Sequence, residues 1–294
     1  MLKFLTRTLA ALALSTAPAA YAQNTTDADP ALWVVKDDDT TIYLFGTVHV
    51  LKPGLSWFDE AVKTAFDKSD QLVVEVVPPD DATTLQLVNK IAMNPTGPTV
   101  TEKLPADKRA SYAKAMAEAG IPQAAFDRLD PWLVAVTLSL VGLPKLGYDP
   151  NSGADKVLVN AAKAANKPVQ GLETIEQQLG YFDDLPEPLQ VKYLVSTVED
   201  YSRTGEILDT MINTWSAGDA ETLGRTMNEE LRDTPELGKV LLADRNVRWA
   251  DWIQKRMAQP GTVFLAVGAG HLAGGDSVQA KLAQHKLTAT RINY

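Results

Sequence analysis

Ile42-Tyr-Leu-Phe-Gly-Thr-Val-His49 and Val263-Phe-Leu-Ala-Val-Gly-Ala-Gly-His271 share one pattern. Each is an apolar run, then a glycine, two small or aliphatic residues and a histidine. Runs rich in Val, Ile and aromatic residues read as strands. Gly46 and Gly268 let the backbone leave the strand sharply. A histidine three positions later stands just beyond the carboxyl end of its strand, the edge at which open α/β sheets bind ligands. The likeness stops after the turn, so the echo reads as one shared site and not as a repeat architecture.

Outward from these turns, strands and helices alternate at both ends of the chain. Leu32–Lys36 and Thr41–Phe45 flank Asp37-Asp38-Asp39-Thr40 and read as a hairpin whose acidic turn is solvated; it lacks the glycine and distal glutamate of a calcium loop. Ser56–Lys68 has helical spacing, with Phe58, Val62, Ala65 and Phe66 on one face. Gln71–Val77 is apolar on both faces, as a central parallel strand is. From Asp80 to about Asn166 the chain reads as mainly helical, clearest at Thr83–Met93, Asp107–Ala119 and Pro131–Leu143. The last of these is too short to span a bilayer and reads as a buried core helix. A strand at Pro168–Leu172 leads to the capping signature Thr174-x-x-Gln177. A helical block follows from Pro186 to about Met257, then strand Thr262–Val267, helix Asp276–His285 and strand Leu287–Ile292. The expected fold is α/β: a central, mostly parallel sheet with flanking helices and a long helical insertion, in one domain over 23–294.

The first 22 residues carry an export signal. Lys3 and Arg7 precede a Leu/Ala run over Thr8–Ala17, and Ala20-Tyr21-Ala22 sets a cut before Gln23. Gln23–Pro30 reads as a disordered lead-in. The chain has no cysteine, so a periplasmic or secreted protein without disulfides is expected. Removing the signal takes away two basic residues and moves the net charge from −9 to −11. That balance argues against nucleic acid and anionic lipid as partners, and no stable membrane insertion is expected. A peptide or small-molecule substrate fits; the oligomeric state is not legible.

Few residues can carry chemistry. Of three histidines, His49 and His271 share the glycine turn, while His285 lies in a polar helix end and reads as a cap. One such turn alone would read as a structural imidazole; two on separate strands point to a common site. Glu75 sits inside Leu72-Val-Val-Glu-Val-Val77, where an isolated carboxylate costs roughly several kcal/mol. It needs a buried basic partner, a metal or a functional role. Glu173 follows the Val169–Leu172 strand on the same edge, although an acidic residue before a helix also favours the helix dipole. Arg245 interrupts the apolar stripe Leu237, Leu241, Trp249, Trp252. It pairs with Glu75 or Glu173, or it faces the site and stabilises an oxyanion. Arg248 reads as a solvated neighbour. Asp155 opens a helix in Gly153-Ala-Asp155, where a carboxylate is expected anyway. There is no Gly-rich phosphate loop, Gly-x-Ser-x-Gly elbow or His-Glu-x-x-His helix.

At these residues the sequence resembles the TraB/GumN family, whose eukaryotic relatives include the Tiki proteins. The resemblance rests on Tyr43-Leu-Phe-Gly-Thr-Val-His49, Leu72-Val-Val-Glu75, Gly171-Leu-Glu-Thr174 with Glu176-Gln177, Asp244-Arg-Asn246 with Trp249, and Val267-Gly-Ala-Gly-His271-Leu. It spans nearly all of the chain after the signal. The stretch between Asp80 and Pro150 matches poorly, which makes it the expected seat of substrate choice. The resemblance implies a fold like that of erythromycin-esterase and haem-binding ChaN-like proteins and, for the Tiki branch, metal-dependent peptide cleavage. The family's paired histidines map onto His49 and His271, and its acidic and Arg-Asn positions onto Glu75, Glu173, Arg245 and Asn246.

The expectation is therefore a periplasmic metal-dependent hydrolase of the peptidase kind. His49, His271 and Glu75 would hold a divalent metal, with zinc, manganese and cobalt all suited. Glu173 would be the general base or a further ligand, Arg245 would steady the oxyanion, and Asn246 would position substrate. The alternatives are a non-catalytic haem-, metal- or peptide-binding protein, and metal-free hydrolysis with a histidine as base.

Overall fold

The computed structural model describes residues 25–230 and 234–294. The export signal read at 1–22 lies outside them. In chain order the elements are β1 (Leu32–Lys36), β2 (Thr40–Thr47), α1 (Glu60–Lys68), β3 (Gln71–Val76), α2 (Asp81–Ala92), α3 (Arg109–Ala119), α4 (Pro131–Val141) and α5 (Ala154–Ala164). They continue with β4 (Val169–Glu173), α6 (Ile175–Asp183), α7 (Glu187–Asp200), α8 (Thr204–Ser216), α9 (Ala220–Glu230), α10 (Asp244–Arg256), β5 (Gly261–Gly268), α11 (Val278–Leu282) and β6 (Thr290–Ile292). The α/β class and the long helical insertion are as expected.

Six strands form one sheet in the order β4-β3-β5-β2-β1-β6. The first four run parallel, and β1 and β6 complete the sheet antiparallel. Both faces are covered, which is why the central strands are apolar throughout. Leu72 and Val74 of β3, Phe264 and Ala266 of β5 and Phe45 of β2 pack under α1, α5 and α8. Val73, Val263, Leu265, Val267, Ile42 and Leu44 face the other way, onto Trp249, Ala250 and Ile253 of α10 and Val278 and Leu282 of α11. The insertion has its own core, in which Tyr112 and Met116 of α3 meet Val134, Ala135 and Leu138 of α4 and Leu194 and Val198 of α7.

The β1–β2 hairpin forms around the acidic turn, where the Asp37 carboxylate accepts the Asp39 and Thr40 N–H groups. Thr174 and Gln177 make the expected reciprocal cap of α6. Three expectations need correction. Thr26–Asp27 is no disordered lead-in but pairs in parallel with Leu55–Ser56, and Ala28 is buried. The Asp29 N–H reaches the Ser216 carbonyl at 2.8 Å, so α8 supplies the partner that ties this segment down. The helical block before β5 is broken, with Gly218 at φ 65 ending α8. A short helix Pro235–Gly238 and one π-helical turn, Lys239–Ala243, precede α10. The last strand is also shorter than expected, because Leu287 and Ala289 pack into the core and only Thr290–Ile292 reaches β1.

Under the first face, Phe45, Trp57 and Trp215 form an aromatic cluster with ring centroids 5.5 to 6.3 Å apart. The Trp215 indole N–H donates to the Gly46 carbonyl at 2.7 Å in a buried bond, so α8 holds the first glycine turn. Trp215→Phe keeps most of the packing but leaves that carbonyl without its donor. Urea unfolding should show a loss of about 1–3 kcal/mol; a variant as stable as the parent would show that the turn is held by other contacts.

Candidate functional site

The four parallel strands end side by side, and each delivers one notable residue to the carboxyl edge. Glu173 is the last residue of β4 and pairs with Val76 of β3. Glu75 lies near the end of β3, His271 three residues past the end of β5, and His49 two past the end of β2, whose Thr47 pairs with Gly268. In sheet order the edge therefore reads Glu173, Glu75, His271, His49. Strand parity aims Glu75 to the α10 face, since Val73 two residues earlier packs there.

Arg245, on the first turn of α10, closes on three of the four. Its Nε and Nη2 donate to the two carboxylate oxygens of Glu173 at 3.0 and 2.8 Å, a bidentate pair. Nη2 also reaches Glu75 Oε2 at 2.7 Å. Nη1 reaches the Leu241 carbonyl and His271 Nε2, both at 3.1 Å. The acceptor at Leu241 lies in the π-helical turn before α10. Of the readings of Arg245 made from periodicity, the ion pair is present, and with both glutamates at once. Its guanidinium lies 4.7 Å over the Trp249 ring.

The remaining lone pairs are covered from α6 and the second glycine turn. Gln178 donates to Glu75 and Glu173, the Tyr181 hydroxyl donates to Glu173 Oε1 at 3.1 Å, and the Gly268 N–H donates to Glu75 Oε1 at 2.6 Å. A Cβ on Gly268 would come 3.1 Å from that same oxygen, so a side chain there would press on the carboxylate. Asn246 receives His271 Nδ1 at 2.6 Å on its Oδ1 and spends its own amide on the Asp276 carbonyl.

Because a guanidinium is always a donor, His271 Nε2 accepts from Arg245 and the ring proton sits on Nδ1. This tautomer follows from the hydrogen bonds. Burial, helped by the charge of Arg245 and opposed by that of Glu75, lowers the His271 pKa to about 3. Burial acts against the charge of Glu75, but the adjacent imidazole, Arg245 and the Gly268 N–H outweigh it and hold the carboxyl well below its ordinary range. The pair is therefore a neutral imidazole 3.6 Å from a carboxylate.

His49 differs. Its side chain is 69% exposed, against 5% for His271. Its Nδ1 meets Asp155 Oδ1 at 3.3 Å. That hydrogen bond raises its pKa, and the charges of Asp155 and Glu75 add to the rise. Asp155 is the residue that sequence reasoning undervalued. Its helix is locked onto the first glycine turn, with the Ala154 N–H on the Val48 carbonyl at 2.8 Å. A Cβ on Gly153 would overlap the His49 carbonyl. A glycine preceding an acidic first turn was the available signal. His285 lies in the last short turn after α11, as expected, and its Nε2 stands 2.9 Å from Asp251 Oδ1. Arg248 is exposed as expected, yet it donates to the Tyr181 hydroxyl at 2.9 Å.

The edge gathers Glu75, Glu173, Arg245, Asn246 and His271 into one bonded network and leaves His49 at its solvent side. Among the described residues no three His, Asp or Glu side chains stand grouped as metal ligands. No helix among them is long and apolar enough to cross a membrane.

An α/β protein with paired glycine–histidine turns and an arginine-bridged pair of glutamates on its carboxyl edge is the class this geometry defines. The profile of the TraB/PrgY/gumN family matches residues 31–291, and the chain belongs to that family. The chain is similar to the uncharacterized protein YbaP of Escherichia coli (strain K12), at 26% identity over 249 residues, covering 83% of this chain and 89% of that one. It is also similar to an uncharacterized protein of Treponema pallidum (strain Nichols), at 23% identity over 264 residues, covering 84% and 78%. No solved structure matches the chain.

Arg245→Met should leave two carboxylates without a cation and cost about 3–5 kcal/mol in urea unfolding. A loss below about 1 kcal/mol, the scale of an exposed pair, would show that the network contributes little. A second expectation concerns pH. The unfolded His271 takes up a proton as pH falls below 6.5, whereas the folded imidazole does so only near 3. Stability is therefore fully present above 6.5 and declines below it. The Glu75 contribution persists down to its own lower window, and that of His49, whose pKa is raised, is complete below 6.5. Between pH 6.5 and 4.5 the metal-free parent should lose up to about 1.4 kcal/mol per pH unit relative to His271→Gln. Parallel stability curves for the two proteins would contradict a neutral buried imidazole.

Proposed function

We propose that the chain is an exported, metal-dependent hydrolase that acts on a peptide or similar amide at this sheet edge. The observation that carries the reading is the state of the two imidazoles. Each is engaged through Nδ1 by an oxygen, from Asn246 for His271 and from Asp155 for His49. Metal-bound histidines are typically oriented in that way, with the second nitrogen left as the ligand. His271 Nε2, His49 Nε2 and Glu75 Oε1 form a donor set of two imidazoles and a carboxylate, which suits zinc, manganese or cobalt. The fit lies in the donor chemistry and in neighbouring strand ends, not in a formed cage: the single Nε2 lone pair of His271 accepts from Arg245 Nη1, so a cation held by His271 would need that hydrogen bond to open. A divalent cation held there would supply Lewis acidity to activate water and polarise an amide carbonyl.

The chain's own residues have narrower tasks. Asn246 fixes the His271 tautomer. Arg245 helps to hold the carboxyl of Glu75 in its ionised form and binds both oxygens of Glu173 beside it. Sequence reasoning made Glu173 a base or further ligand. With both its oxygens on Arg245, we assign it instead to anchoring that guanidinium. Asn246, with both ends of its amide spent, is assigned to His271 and not to substrate. Leu242, Ala243 and Gly270 border a cavity of about 320 Å3 beside Asn246, room for a side chain of the substrate.

A second reading draws on the His49–Asp155 pair. An exposed imidazole whose basicity is raised by a carboxylate can take a proton from water at Nε2, so metal-free hydrolysis with His49 as base uses the same edge. Elemental analysis of the mature protein beside His49→Ala and His271→Ala, with peptide-library cleavage before and after chelation, separates the two. About one divalent metal per chain, lost in both variants along with cleavage, is the expected result. Cleavage that survives chelation but not His49→Ala would favour the second reading. A metal-free protein that cleaves nothing after incubation with zinc, manganese and cobalt would end both.

A further inference from the structure

A second cavity, about 220 Å3, lies on the outer side of Glu173 between α6 and α10. Leu172 and Glu173 form its floor, Tyr181 one wall, and Arg248, Trp252 and Lys255 the other. The last three fall at i, i+4 and i+7 on α10 and so share one stripe of that helix. Neither Arg248 nor Lys255 has a carboxylate partner among the described residues, in a chain whose net charge is −9. The one acidic residue in the lining, Glu173, is already neutralised by the bidentate bonds of Arg245. The cavity thus pairs unneutralised cations with an indole and a leucine. That combination takes an anion carried on an apolar or aromatic body.

We propose that this cavity is a carboxylate-binding subsite, which receives the free terminal carboxylate of a peptide whose last side chain is apolar or aromatic. Its volume holds a single residue, below the range usual for whole-ligand pockets. It is joined to the buried network by one relay: Arg248 Nη2 donates to the Tyr181 hydroxyl, which donates to Glu173 Oε1. A carboxylate drawn to Arg248 therefore sits one aromatic side chain away from the sheet edge. The purpose assigned to the subsite rests on the hydrolase reading; its existence does not.

The test uses the mature full chain and two neutral-versus-anionic isosteres, phenylacetate and phenylacetamide, titrated by ligand-observed NMR at low salt. Phenylacetate should bind at least about tenfold more tightly than the amide, the scale of one charge-assisted hydrogen bond. The double variant Arg248→Gln, Lys255→Gln should lose that advantage while keeping the melting temperature of the parent, because both side chains are exposed. Trp252→Leu should weaken phenylacetate but spare acetate. Equal binding of acid and amide, or unchanged affinity in the double variant, would overturn the subsite. Peptides with free and amidated carboxyl ends supply the second arm, with a lower KM expected for the free form only when Arg248 and Lys255 are present. Carboxylate binding without cleavage of any peptide upholds the subsite and removes the hydrolase reading. Cleavage indifferent to amidation, with no carboxylate binding, does the reverse.

Discussion

The charge of one guanidinium sets the arrangement of the whole sheet edge. Glu75 and Glu173 stand on neighbouring parallel strands, both largely out of water. Two such carboxylates repel each other, and removal from water adds to the cost of holding their charges together. Arg245 removes the conflict, and its planar fork does so with direction: two parallel bonds to Glu173, one to Glu75, one to His271. A lysine could supply the charge but not these angles. The π-helical turn before α10 matters in the same way. It brings the Leu241 carbonyl to Nη1 and so satisfies the donor the carboxylates leave over.

At two of the glycines around the network a side chain would displace the functional groups. Gly268 brings its N–H against Glu75 where a Cβ would press on the same oxygen. Gly153 allows α5 to close on the His49 carbonyl, which places Asp155 against the imidazole. Each glycine–histidine turn is also held from outside the sheet. The first is held by the Trp215 indole and the second by Asn246 on α10. Helices on both faces thus position one edge, a stiff arrangement for side chains that must keep fixed directions.

Much of this was legible from patterning. The alternation of Leu72, Val73 and Val74 between two packed faces, the anomaly of Glu75 inside that run, and the charged interruption of the Arg245 stripe all follow from period 2 or 3.6 against an apolar background. What was not legible depends on contacts between segments far apart in sequence. Asp155 reaches His49 across 106 residues, and Gln178 reaches Glu75 across 103. Neither shows a local sign beyond ordinary helix-start and helix-surface chemistry. The pairing of Thr26–Asp27 was missed because polar residues form a strand only when a neighbour offers its edge. The break before α10 was missed because a π-helical turn leaves no mark on hydrophobic periodicity.

The charge balance of the edge links the two readings of its chemistry. Two carboxylates and one guanidinium leave a single negative charge, and His271, being neutral, does not cancel it. The residue of that charge falls toward Glu75 Oε1, since Oε2 faces Arg245 while Oε1 accepts only the Gly268 N–H and lies 3.6 Å from the neutral His271 Nε2. It contributes to the raised basicity of His49. On the proposed hydrolase reading, the same charge is what would favour a divalent cation at this edge. Two glutamates and one arginine thus leave one negative charge beside a neutral buried imidazole, and the exposed His49 is the imidazole of this edge whose basicity that charge raises.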